Sequence, residues 1–149
     1  MKSKVLISIL FCCFSVIGIS QNKNIPFYKK EIKIDGMLNE EVWNEAAIFS
    51  NFNNYFPNDE GKANNKTEIK VFHDGEKLYI AGVYYDTTSE NKMSTLKRDN
   101  HGDIVVGSDA LGIVLDPFNK ENNGYYFAVN IGNAQMDALI DFNGTDYNF

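Results

Sequence analysis

The stretch Ile32-Lys33-Ile34-Asp35-Gly36-Met37-Leu38-Asn39-Glu40-Glu41-Val42-Trp43 decides the fold. Ile32 and Ile34 alternate with Glu31 and Lys33, which places two apolar side chains on one face of a short strand. Asp35-Gly36 supplies the backbone freedom for a turn. Asn39 is positioned to cap a helical turn opened by Glu40 and Glu41, whose carboxylates suit the positive end of a helix dipole. Trp43, the single tryptophan of the chain, falls on the side of Asn39 and Ala46-Ala47 and is expected to lie under the strand as a core plug.

Outward from this stretch the chain is a series of short strands divided by turn residues. Residues 49–56 alternate weakly and suit an edge strand ended by Pro57. Residues 58–66 are a polar loop. Ile69 and Val71 face one way while Glu68 and Lys70 face the other, a half-buried strand. Asp74-Gly75 marks a hairpin into residues 78–85, an almost continuous apolar run that predicts a central strand covered on both faces. Residues 87–106 are the least regular. Strands resume over 110–115, 125–131 and 135–142, with a hairpin at Gly132-Asn133 and another turn at Asn143-Gly144. The expected fold class is all-β, an antiparallel jelly-roll-like β-sandwich with one short helical turn.

Four segments, in order, resemble carbohydrate-binding module family 9 and its relatives. The first is Ile34-Asp35-Gly36-Met37-Leu38-Asn39-Glu40-Glu41-Val42-Trp43, and the second is the hairpin over 67–80 with Asp74-Gly75 and Leu78-Tyr79-Ile80. The third is Asp109-Ala110-Leu111-Gly112-Ile113-Val114-Leu115-Asp116, and the fourth Gly124-Tyr125-Tyr126-Phe127-Ala128-Val129-Asn130. The match covers roughly residues 30–142. It implies an exported, non-catalytic module that binds a carbohydrate polymer or oligosaccharide for a larger protein of carbohydrate catabolism. Runs at 98–103 and 132–137 resemble modules at the start of long bacterial proteins whose remainder looks like an outer-membrane β-barrel. That likeness implies the alternative role of a structural or docking domain on a downstream barrel.

The N-terminus reads as a secretory signal peptide over residues 1–20: Lys2 and Lys4, an apolar run over 5–19, and a cleavage junction at Ser20-Gln21. The run is shorter than the roughly 20 apolar residues of a membrane span. Leu10-Phe11 ahead of Cys12 and Cys13 lacks the small residues that precede a lipidated cysteine. Residues 21–29 then form a lead-in, and 30–149 the module. Both cysteines leave with the signal, so the exported chain crosses into an oxidising compartment without disulfides and relies on packing or bound ions. Loss of Lys2 and Lys4 takes 14 basic residues to 12 against 20 acidic ones, a net charge of −8. Such a surface repels nucleic acid and anionic membranes and suits neutral sugars or hard cations. Because the chain has just turned at Asn143-Gly144 when it reaches Phe149, the sequence is expected to be a piece of a longer protein, incomplete as a module.

Sugar recognition needs a flat aromatic face for C–H groups and fixed polar side chains for hydroxyls. The resemblance implies two tryptophans around a terminal sugar, but the position matching the first lies near Val106, and Trp43 belongs to the structural signature. Tyr79, Tyr84, Tyr85, Tyr125 and Tyr126 remain, and each adjacent pair sends one ring to each face of its strand. Tyr84 or Tyr126 is the candidate platform, with Asn130, Gln135 and Asp137 as hydrogen-bonding partners. Asp99, Asp103 and Asp109 before one strand, and Asp116 after it, are candidate ligands for a structural calcium ion, since oxygen donors on irregular loops suit that cation. Haem-binding sandwiches share this general architecture and ligate iron through methionine and histidine, which gives a remote alternative resting on Met93, His73 and His101. No nucleophile elbow, glycine-rich phosphate loop or cysteine–histidine pair is present, so no catalytic residue is expected in this chain. Hydrolase activity would lie elsewhere in a longer polypeptide.

Overall fold

Two antiparallel sheets stack with a helical element on the outer face of each. A computed structural model describes residues 23–55, 60–86 and 90–141 and the backbone of 144–146. The expected signal segment, Pro57 and Asn143 lie outside the described residues. In chain order the elements are helix α1 (Val42–Glu45), β1 (Ala47–Phe49), β2 (Lys66–His73) and β3 (Leu78–Tyr85). A π-helical turn (Gly102–Val106) follows, then β4 (Ala110–Leu115), β5 (Asn123–Asn130), β6 (Gln135–Asp141) and β7 (Gly144–Asp146). Strand order is β1-β2-β3 in one sheet and β4-β5-β6-β7 in the other. The fold is an all-β antiparallel sandwich.

The hairpins follow from local chemistry. The Asp74 carboxylate accepts the N–H groups of Glu76 at 2.9 Å and Lys77 at 2.7 Å, and the Tyr79 hydroxyl at 2.8 Å. That closes the β2–β3 turn, with Gly75 at φ 91°. Asn133, at φ 64°, turns β5 into β6, and Asn is among the few side chains that tolerate this region.

Side-chain alternation sorts the sheets into layers. Phe72 on β2 stacks on Tyr79 of β3 at 4.7 Å and meets Trp43 edge-on at 5.0 Å. With Val42 and Ala46 they form a buried cluster on the outer face of the first sheet. Ile104, Ala128, Ala134 and Met136 form a second cluster on the outer face of the other, beneath the π-turn. The inner faces meet thinly: a methyl group built on Gly82 would lie 3.1 Å from Leu111 Cδ2, and the Tyr84 hydroxyl donates to the Ala110 carbonyl at 3.3 Å.

Four sequence expectations are corrected here. Residues 30–34 form no strand, and Ile34 is exposed while Ile32 packs against the Trp43 cluster; among the described residues no strand pairs with this segment to take its ladder hydrogen bonds. Asn39 does not cap α1. The turn instead begins at Glu40 and Glu41, whose carbonyls accept Trp43 N–H and Asn44 N–H. Of the edge strand expected over 49–56 only Phe49 is in a strand, the last residue of β1, which begins two residues earlier at Ala47; the rest of that span keeps a single bridge at Asn53–Lys62. The apolar run of β3, expected to be central, stands at the edge of its sheet, and so does β4. Apolar residues on both sides of a strand report layers above and below it, and that coverage is independent of whether both edges are paired. β7 does send the chain back after β6, pairing Asp141 with Gly144.

Candidate functional site

Between the sheets lies an open cleft of about 530 Å³. Its floor is the inner face of β4–β6, including Leu111, Ile113, Phe127 and Val129, and Ile80 of β3 is its wall from the first sheet. Phe127 is 46% exposed, enough to offer a ring face to a ligand.

A polar rim borders this floor. Phe127 and Asp137 are direct cross-strand partners, so their side chains share the inner face. Arg98 donates to the Asp137 carboxylate, and its Nε lies 3.1 Å from Asp99. A longer contact runs from its Nη1 to Gln135 Oε1 at 3.4 Å. Asp99 sits at φ 58° and donates its N–H to the Gln135 carbonyl at 3.0 Å, which docks the loop on β6 and aims the guanidinium across the rim. One cation between two carboxylates leaves the rim with a net charge of −1.

The loop reaches this position through Asn130. This side chain is 4% exposed, donates to the Thr95 carbonyl at 2.8 Å, and accepts Ala134 N–H at 2.8 Å. Ser108, also buried, accepts Ser94 N–H at 2.9 Å and donates to the Asp103 carbonyl at 2.6 Å. Buried polar groups satisfied in this way hold a segment in one conformation.

The five expected sugar contacts therefore divide. Tyr84, Gln135 and Asp137 lie on the inner side of the sandwich. Burial raises the Tyr84 phenol above its ordinary value, and the nearby Asp109 charge adds to the shift. Tyr126 and Asn130 are on the opposite face. Tyr126 is half-buried against the Ile104 cluster and meets His101 edge-on at 6.5 Å, and the Asn130 amide is spent on the loop. β5 alternation turns these two away from Phe127, so they do not share its face.

The four candidate calcium ligands also separate. Asp99 holds Arg98, Asp103 accepts the Asn100 amide at 2.7 Å, and Asp109 accepts Lys92 N–H at 2.8 Å. Asp116 stands at the far end of β4, where Glu121 and Phe118 N–H groups hold its carboxyl below the ordinary range. Among the described residues no three acidic, histidine or cysteine side chains converge. His73 ends β2 against Phe27, whereas His101 lies behind the second sheet with Tyr126.

Sequence reasoning missed Arg98 and Phe127 as site residues. Phe127 was visible as the residue alternating with Tyr126, but its pairing with Asp137 is set by strand register across a turn. Arg98 reaches the rim across 39 residues. No family model, curated protein or solved structure matches this chain. Among the described residues no helix is long and apolar enough to cross a membrane.

Proposed function

We propose that this chain is a non-catalytic carbohydrate-binding module of an exported protein, taking a neutral oligosaccharide or polysaccharide in the inter-sheet cleft. The supporting observation is the juxtaposition on one face of the exposed Phe127 ring, the Arg98–Asp137 pair and Gln135. An aromatic floor suits the axial C–H groups of a pyranose, and an oriented ion pair with an amide offers donors and acceptors for hydroxyls. The four sequence segments that resemble carbohydrate-binding module family 9 point the same way.

Calorimetric titration with xylo- and cello-oligosaccharides, with and without calcium, tests this. The expected result is millimolar or tighter binding that Phe127→Ala and Asp137→Asn each weaken about tenfold, about 1.4 kcal/mol, with unchanged far-UV circular dichroism. Tyr84→Ala, at the cleft end, weakens it less. Absence of heat with every glycan from folded protein rejects the sugar reading. A second reading, a docking domain on a membrane β-barrel of the same polypeptide, is favoured by Tyr125, Phe127 and Leu139, which leave 40% or more of their surface exposed on one sheet face.

A further inference from the structure

We infer that the free edge of β3 is an acceptor for an extended peptide strand with basic ends, which on pairing lies over the inter-sheet cleft. The inference stands on the edge itself and goes beyond the sugar reading.

Residues Leu78–Tyr85 include no charge and no proline. Among the described residues their only strand partner is β2, and along the other edge the N–H and C=O groups of eight residues, about 26 Å, pair with no other described strand. Natural sheets blunt such an edge with charges, proline, a bulge or a covering segment. β3 has no charge or proline of its own, and its sequence is that of a strand made to be flanked. The cleft lies on this same side. Among the described residues its lining from the first sheet is Ile80 of β3, with none from β1 or β2, although Phe127, Gln135 and Asp137 of β5 and β6 line it as well. The first sheet therefore stops above β4 and β5. A strand added about 4.8 Å beyond β3 would cover the inner face of the neighbouring strands, including Phe127 and Tyr125. A single occupant thus satisfies the bare edge and the uncovered apolar face together.

Charge selects the occupant. The Leu78 end carries Asp74 and Glu76 against Lys77, and the Tyr85 end carries Asp86 and Asp109 against Lys92, with Lys66 beside Tyr85 offset by its ion pair to Glu68, a net −1 at each end. In antiparallel pairing of two copies of β3, each acidic end would meet the other, within chains that each carry a net charge of −6. Like charges opposed in this way disfavour a second copy. An extended segment with alternate apolar side chains and a lysine or arginine at each end complements both the face and its borders. Because that strand covers Phe127, it competes with a sugar for the cleft.

Amide hydrogen exchange on the full chain tests this, using an eight-residue probe of alternating valine and threonine flanked by lysines, and a glutamate-flanked control. The expected result is about tenfold slower exchange at alternate amides of residues 78–85 with the lysine probe, and at least tenfold weaker effect from the control. Glu76→Lys, an exposed change, narrows that preference without altering the far-UV spectrum. Two results overturn the inference: no protection of β3 by either probe in folded protein, or protection without probe that grows with protein concentration alongside dimer mass. Sugar titration is read separately, so a failed glycan arm leaves the strand arm intact, and the reverse.

Discussion

Single side chains do the work of holding turns and loops here. The pKa of Asp74 is lowered from 3.8 to about 2, chiefly by the Glu76 and Lys77 N–H groups and then by the Tyr79 hydroxyl. A folded-state value below the unfolded one means that the unfolded chain takes the proton first as pH falls. The contribution of this group is complete above the ordinary carboxylate range and fades as pH drops through that range to about 2. Asp35, Glu68 and Asp116 shift in the same direction and add to the slope. Urea midpoints measured from about pH 6 downward should therefore fall steeply in acid, and Asp74→Asn should flatten part of that fall while lowering the neutral-pH midpoint. A slope identical in the two proteins would show that the turn carboxylate is not selectively stabilised by folding.

At the scale of elements, strand spacing sets the tolerance of individual positions. Gly124 is the second residue of β5, and a methyl group there would lie 2.8 Å from the Leu115 carbonyl oxygen and 3.5 Å from its carbon. Backbone cannot move aside as a side-chain tip can, so Gly124→Ala should destabilise by about 1–3 kcal/mol, read as a lowered urea midpoint. Gly102 in the π-turn has nothing within 4 Å of the same added atom. Gly102→Ala is the control and should leave the midpoint nearly unchanged. The strands themselves were legible in sequence because β2, β5 and β6 alternate and their turns carry Asp-Gly and Gly-Asn pairs. The π-turn was not legible: its identity rests on Gly107 N–H reaching the Gly102 carbonyl at 2.9 Å, a closure that Ser108 and Asn130 impose from outside.

The whole molecule is two halves more than one core. Val42, Trp43, Ala46 and Phe72 belong to one buried cluster and Ile104, Ala128, Ala134 and Met136 to another. The contacts at Gly82–Leu111 and Tyr84–Ala110 join them. Weak coupling between cooperative units lets them unfold separately. The one tryptophan lies in the first half, so its fluorescence follows that half alone, whereas far-UV circular dichroism follows both. Urea transitions by the two probes should not coincide. Superimposable curves would mean that the thin inner interface couples the sheets into one unit. Occupation of the cleft by a glycan or a strand should draw the two curves together by bridging the faces.

By itself the sequence determined the all-β class, the hairpins and the burial of Trp43, because alternation, turn residues and a lone large aromatic act within a few residues of one another. The candidate site was half legible. Tyr84, Gln135 and Asp137 were expected and lie on the cleft side. Arg98 and Phe127 join them only through strand register and a loop anchored by Asn130. Tertiary structure alone decided that β3 and β4 stand at sheet edges, that Tyr126 turns away from the cleft, and that the acidic residues part company. Those outcomes depend on which strands pair and which faces meet, and side-chain pattern along one strand records its faces but not its neighbours.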